Sequence, residues 1–223
     1  MFTRLEIGRI AGMTIYLDMM FMLVLIFFTF PYFTAGSTQA LSAGFVIVVG
    51  LLVSILLHEL AHALAGGLFG ARVAYIELTG IGGVAHFERS LPHSVLARSV
   101  IYLAGPMANL LLWHGFDALA GTVASSGHRM LALPLAVLGS SNFVLMLFNL
   151  LPAYPLDGGH TLDAWVSALL GPVWAVRIVA GLGLLVAVGV ALYALPTGVF
   201  LLFVALFLAQ VNWRALHTAG RWR

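Results

Sequence analysis

His58, Glu59 and His62 stand in the stretch His58-Glu-Leu-Ala-His62. On a helix, positions four apart share a face, so both imidazoles can grip one metal ion. The glutamate between them stands where a general base for an activated water belongs. The run Phe45–Leu57 just upstream, FVIVVGLLVSILL, has Ser54 as its one polar residue. A zinc-type pair at the end of so apolar a run implies hydrolysis inside a bilayer.

Two histidines are half of a zinc site, because a catalytic site uses three protein ligands and keeps a further position for water. Ionisable side chains at membrane depth are costly and tend to be functional, which confines the search for a third ligand to Asp18, His114, Asp117, Asp157 and His160. Asp157 suits best. It lies in Asn149-Leu-Leu-Pro-Ala-Tyr-Pro-Leu-Asp-Gly-Gly159, where Pro152 and Pro155 stop a helix. Gly158 and Gly159 permit unusual backbone angles and close approach. Irregular backbone at membrane depth is tolerated where it lines a cavity or is buried in protein. Asp18 falls at the entrance of an apolar run, and His114 and Asp117 fall near the far end of theirs.

The elements that must position these residues follow from composition. The chain has 223 residues, 62% hydrophobic and 8% charged, with a mean hydropathy of +1.07. Soluble domains carry roughly 25% charged residues, so the bilayer is the main solvent of this chain. There are no cysteines, which excludes disulfides and thiolate-ligated zinc. The pI near 9.3 reflects few charges rather than a basic patch, so no nucleic-acid partner is expected. A cleaved signal peptide is not expected either, since the first apolar run follows Arg4, Glu6, Arg9 and Asp18 and has no small-residue cleavage pattern.

A helix needs about 20 apolar residues to cross a bilayer. The sequence predicts six spans, near 17–35, 42–66, 96–120, 132–151, 173–195 and 197–213, broken at Thr34–Ala40, Ser125–Arg129 and Pro196–Gly198. Residues 72–88 alternate around a Gly80–Gly83 turn and read as a β-hairpin too short to span. A short helix is expected near Thr161–Leu170. The expected fold class is therefore an all-α polytopic membrane protein with a membrane-associated hairpin between its second and third helices, forming one domain over 1–223. All ten basic residues are arginines. With six spans, Arg4, Arg9, Arg72, Arg89, Arg98, Arg177, Arg214, Arg221 and Arg223 share one side and Arg129 stands alone on the other. The positive-inside bias places both termini, and with them His58-Glu-Leu-Ala-His62 and the 152–160 segment, toward the cytoplasm.

Together these motifs resemble the site-2 protease family of intramembrane zinc metalloproteases. His58–His62 and Asn149–Gly159 carry the resemblance; Ala104-Gly-Pro-Met-Ala-Asn109 and Gly80-Ile-Gly-Gly-Val-Ala85 support it. It runs from about residue 42 to 160, with six spans as in the compact prokaryotic members and no PDZ insertion or C-terminal CBS domains. The resemblance implies one zinc ion per chain on His58, His62 and Asp157, with Glu59 as general base. It further implies that Asn149 and Asn109 position the substrate backbone or the transition state. The implied activity is cleavage of membrane-anchored proteins in or near a transmembrane helix, in the bilayer of a prokaryotic inner membrane. An edge of the 72–88 hairpin could capture an unwound substrate by strand addition. The sequence carries no signal for an oligomeric state.

Blander readings stand beside these. His58 and His62 could be a satisfied core pair; Asp157 could cap the helix that follows it. Asn109 and Asn149 could bridge helices, and Gly181, Gly183 and Gly189 could serve packing. His86 and His93 suit an interface, and His160 could line its turn. Two other classes compete: a zinc-binding membrane protein without hydrolysis, such as a metal transporter, and a membrane di-iron oxidase. A transporter favours ligands spread along a path, and an oxidase needs more of them than are clustered here.

Overall fold

The structure is a computed structural model that describes residues 4–80 and 82–219. Arg221 and Arg223 of the arginine count, and Ile81 in the hairpin turn, lie outside the described residues. The elements in chain order are β1 (Arg4–Ile10), β2 (Met13–Asp18), α1 (Met19–Thr34), α2 (Thr38–Leu68), β3 (Val73–Thr79), β4 (Gly82–Phe87), α3 (Val95–Ser125), α4 (Arg129–Asn149), α5 (Asp157–Leu170), α6 (Pro172–Thr197) and α7 (Val199–Ala219).

Five of the helices, α2, α3, α4, α6 and α7, are long and apolar enough to cross a bilayer. They match five of the expected spans, and their breaks fall where Gly, Pro and Ser clusters predict them. The first expected span, 17–35, is shorter than its hydropathy suggests. Tyr16, Leu17 and Asp18 belong to β2, and α1 has 16 residues. At 1.5 Å per residue that is about 24 Å of helix. Asp18 caps α1, its Oδ1 accepting from Met20 N at 2.8 Å, so this candidate ligand has a structural task.

The hairpin at 72–88 is present and is half of a larger sheet. The strand order is β1-β2-β3-β4, with β2 parallel to β3 and the two outer pairs antiparallel. β4 is thus an edge strand and β3 an interior one. The sequence reading did not assign β1 and β2. They are joined by the two-residue turn Ala11–Gly12, in which both residues have positive φ, 50° and 84°.

Contacts divide the chain into two compact units. One holds the residues up to Leu91 with Ala104–Met146; the other holds Pro92–Leu103 with Leu147 onward. In the first, Leu17, Phe21, Leu25, Ile76 and Leu78 form a core, against which Val48, Leu52, Ile55 and Leu56 of α2 pack. In the second, Ala153, Leu156, Ala187 and Leu208 form the core of the 151–156 loop with α6 and α7.

Candidate metal centre

α2 delivers His58, Glu59 and His62 to the interior of the first unit, and all three side chains are buried. The two Nε2 atoms lie 3.1 Å apart. Two nitrogens each about 2.0–2.1 Å from one metal at a tetrahedral angle would be separated by roughly 3.3 Å. One donor atom from each of the three residues falls within 4.8 Å of the others, and this is the one such group among the described residues.

What faces the pair is an absence of side chain. A Cβ built on Gly105 of α3 would fall 2.5 Å from His58 Nε2 and closer still to His62 Nε2. The backbone is helical there, so glycine serves space and not an unusual φ. Converging imidazole nitrogens and a neighbouring carboxylate fit a tetrahedral divalent cation, with Gly105 leaving the two rings the room they occupy.

Glu59 points toward the sheet. A Cβ on Gly83 would stand 2.5 Å from Glu59 Oε1 and 2.6 Å from its Cδ. Seven residues along α2, a Cβ on Gly66 would stand 2.6 Å from Phe87 Cε1. Positions 59 and 66 share a helix face, and 83 and 87 share a strand face. Edge strand β4 therefore runs along the very face of α2 that presents the carboxylate, and both close approaches depend on glycine.

Asn109, on α3, bridges helices, and one of its bonds reaches the metal centre. Its Oδ1 meets His58 Nδ1 in a short contact, and its Nδ2 donates to Asn142 Oδ1 at 2.8 Å. It is engaged with a metal-site histidine. Asn142, which no motif singled out, is fully buried. The available signal was an amide in an otherwise apolar span, the kind of residue that membrane depth makes expensive.

Asp157 and Asn149 belong to the second unit. Asn149 ends α4, and Asp157 is the first residue of α5. The helix N-cap is Leu156, and Asp157 stands in the first turn, where a carboxylate also suits the helix N-terminus. The preceding loop is fastened tightly. Asn212 of α7 accepts from Tyr154 N at 3.1 Å and donates to Tyr154 O at 2.7 Å. Gly183 of α6 makes room for it, since a Cβ there would stand 2.7 Å from Asn212 Nδ2; this accounts for one of the three glycines read as packing. The Tyr154 hydroxyl donates to Asp163 at 2.7 Å, and Arg98 pairs with the other oxygen at 3.2 Å. Burial, and then that hydrogen bond, push the Tyr154 phenol well above its ordinary range.

Gly158 and Gly159 lie inside α5 without positive φ. A Cβ at Gly158 would stand 2.7 Å from Leu151 O, and one at Gly159 would stand 2.6 Å from Ala153 C. Close approach, rather than unusual backbone angles, explains the pair. The remaining candidates have ordinary partners. His160 stacks on Tyr102 with ring centres 4.9 Å apart, His114 stacks on Trp113, and His86 pairs with Glu77 at 3.3 Å.

The model of peptidase family M50 matches residues 46–123 and 114–195. The chain is 35% identical over 230 residues to a putative zinc metalloprotease, Rip3, of Mycobacterium tuberculosis, covering 92% of this chain and 56% of that protein. It is 30% identical to a putative zinc metalloprotease of Synechocystis, covering 97% and 59% respectively. The chain thus spans little more than half the length of these relatives. The solved site-2 protease from Methanocaldococcus jannaschii superposes with a TM-score of 0.65 at 25% identity, over 96% of this chain and 95% of that one.

Proposed function

Because this chain belongs to peptidase family M50 and has five helices long and apolar enough to cross a membrane, we propose that it is an intramembrane zinc-dependent endopeptidase. Its substrates are membrane-anchored proteins, cut in or near a transmembrane helix. The observation that carries this reading is the 3.1 Å convergence of the His58 and His62 Nε2 atoms beside Glu59, both rings packed against Gly105 of α3. One group of metal-type donors among the described residues favours a fixed catalytic site over the spread ligands of a transporter.

His58 and His62 hold the zinc ion, and Asp157 supplies the third ligand. The Asp157 assignment rests on its motif and on the firmly held loop before it. Bound zinc supplies Lewis acidity, lowering the pKa of water toward about 7 and polarising the scissile carbonyl. Glu59 takes the attacking water's proton and passes it to the leaving amine, so that no free ion need form in a site poor in water. Asn149 offers its amide to the substrate backbone. With the 16-residue α1 taken as a short sixth crossing, both termini and the site face the cytoplasm of a prokaryotic inner membrane, a placement that the arginine distribution supports. Removing zinc with a chelator should abolish cleavage of a reconstituted transmembrane substrate, and adding zinc should restore it. Asp157→Ala should weaken zinc binding by more than the about 10–100-fold that loss of an outer-shell partner costs. Cleavage that persists in the metal-free protein would sink the reading.

A substrate helix hides its amides in its own hydrogen bonds and must unwind to be cut. β4 is the edge that can receive the unwound strand, since β3 is paired on both sides. A strand added there lies beside Glu59, against which β4 packs at Gly83. Proline at Val84, Ala85 or His86 should abolish cleavage at the alternate positions whose N–H points outward, where the β3 ladder is kept. Full cleavage by all three variants would exclude strand addition on this edge.

A further inference from the structure

A line of buried amides leads away from the metal centre through α2, α3 and α4. His58 Nδ1 meets Asn109 Oδ1, and Asn109 Nδ2 donates to Asn142 Oδ1 at 2.8 Å. Asn142 Nδ2 donates twice, to Ser54 Oγ at 3.0 Å and to the Leu138 carbonyl at 2.9 Å. Ser54, Asn109 and Asn142 have no solvent exposure, so water cannot substitute for a missing partner.

The direction of this line is set at its far end. A backbone carbonyl can only accept. With its NH2 on the Leu138 carbonyl, the Asn142 amide must turn its oxygen to Asn109; the opposite orientation would set oxygen against oxygen. An oxygen there demands a donor, so Asn109 presents its NH2 to Asn142 and its oxygen to His58. An oxygen opposite Nδ1 demands the proton on Nδ1. A neutral imidazole has one ring proton, so the lone pair then lies on Nε2, the atom that converges on His62. Ser54, a hydroxyl that can donate or accept, fits either way and decides nothing.

We infer that Asn142, anchored on the Leu138 carbonyl, is a positioning residue that fixes the tautomer of His58 for metal binding, acting through Asn109. The inference deepens the proposed function, since it rests on His58 being a zinc ligand. Metal-bound histidines commonly donate their other N–H to an oriented acceptor, and loss of such a partner costs about 10–100-fold in metal affinity. Here the acceptor is an amide, which has a wrong way round, and Asn142 excludes it.

The test is zinc affinity of the purified full chain, measured by competition with a chromophoric chelator. Asn142→Ala lets the Asn109 amide turn over and should bind zinc about 10–100-fold more weakly. Asn109→Asp has no NH2 to present wrongly, but with Asn142 still anchored it sets a carboxylate oxygen against Asn142 Oδ1, so alone it should bind more weakly than the unaltered protein. The decisive variant is Asn109→Asp with Asn142→Ala, which should recover to within about threefold of the unaltered protein, because the facing oxygen is gone and a carboxylate needs no orienting. If Asn142 served packing alone, the double variant would keep the full defect, and that result would overturn the inference, as would unchanged affinity in Asn142→Ala. Unchanged affinity in His58→Ala would instead overturn the ligand reading itself. Should Asn142→Ala fail to fold, nitrogen NMR of histidine-labelled, metal-free protein reads the tautomer without any variant. His58 protonated on Nδ1 is expected, and protonation on Nε2 overturns the inference.

Discussion

Glu59→Gln should keep zinc and lose cleavage by about 10²–10⁴-fold, the range that a positioned general acid–base contributes. The amide has the shape of the carboxylate and fits the same slot against Gly83, where space is tight enough that a Cβ would collide with the side chain. It cannot take a proton from water. The two histidine nitrogens are untouched, so metal content, measured on the purified protein, should stay at one zinc per chain. The pairing of these two readouts separates the classes. A non-hydrolytic zinc protein has no use for the proton-accepting power of Glu59, and in it the substitution would change neither zinc nor function. Cleavage at the unaltered rate would remove Glu59 from the mechanism.

The parts of the molecule that were legible in the sequence are those specified by local pattern. The spacing of His58 and His62 fixes a shared helix face whatever the surroundings, and the breaks at Thr34–Ala40, Ser125–Arg129 and Pro196–Gly198 rest on the chemistry of single residues. The hairpin at 72–88 alternates over its own length. β1 and β2 were not legible, for two reasons. Their turn, Ala11–Gly12, needs positive φ at both positions, yet lacks the Asn-Gly or Asp-Gly that announces such turns. The pairing that makes β2 an interior strand, Thr14–Leu17 on Tyr75–Leu78, joins segments separated by the whole of α1 and α2. Hydropathy then assigned Leu17 and Asp18 to a span, because an apolar strand and the start of an apolar helix look alike in composition.

The same limit explains Asn142. Ser54, Asn109 and Asn142 come from three helices, and each alone is an amide or hydroxyl in an apolar run, with inter-helical bonding as its ordinary explanation. Only their junction in space gives them a direction, and the direction is what bears on His58. Gly105 was read within a supporting motif, but its purpose is equally spatial: it is defined by what stands opposite on another helix.

That makes Gly105→Ala the sharpest test of how the metal is held. The added methyl would press on both rings, 2.5 Å from His58 Nε2 and 2.6 Å from its Cε1, and would push them out of the arrangement in which their nitrogens converge. Zinc affinity should fall by more than about 100-fold, beyond the usual cost of losing an outer-shell contact. The fold should respond in the other direction. Position 105 is helical, and alanine favours a helix interior over glycine by about 1 kcal/mol. The colliding atoms are imidazole edges rather than backbone, so metal-free rings can swing aside. Metal-free Gly105→Ala should therefore melt no lower than the metal-free parent, while zinc, which raises the melting temperature of the parent through binding to the native state, should leave the variant unmoved. Opposite signs in the two measurements cannot arise from general damage to packing. A variant that bound zinc as the parent does would show that the ion does not depend on the positions of the His58 and His62 rings that Gly105 allows.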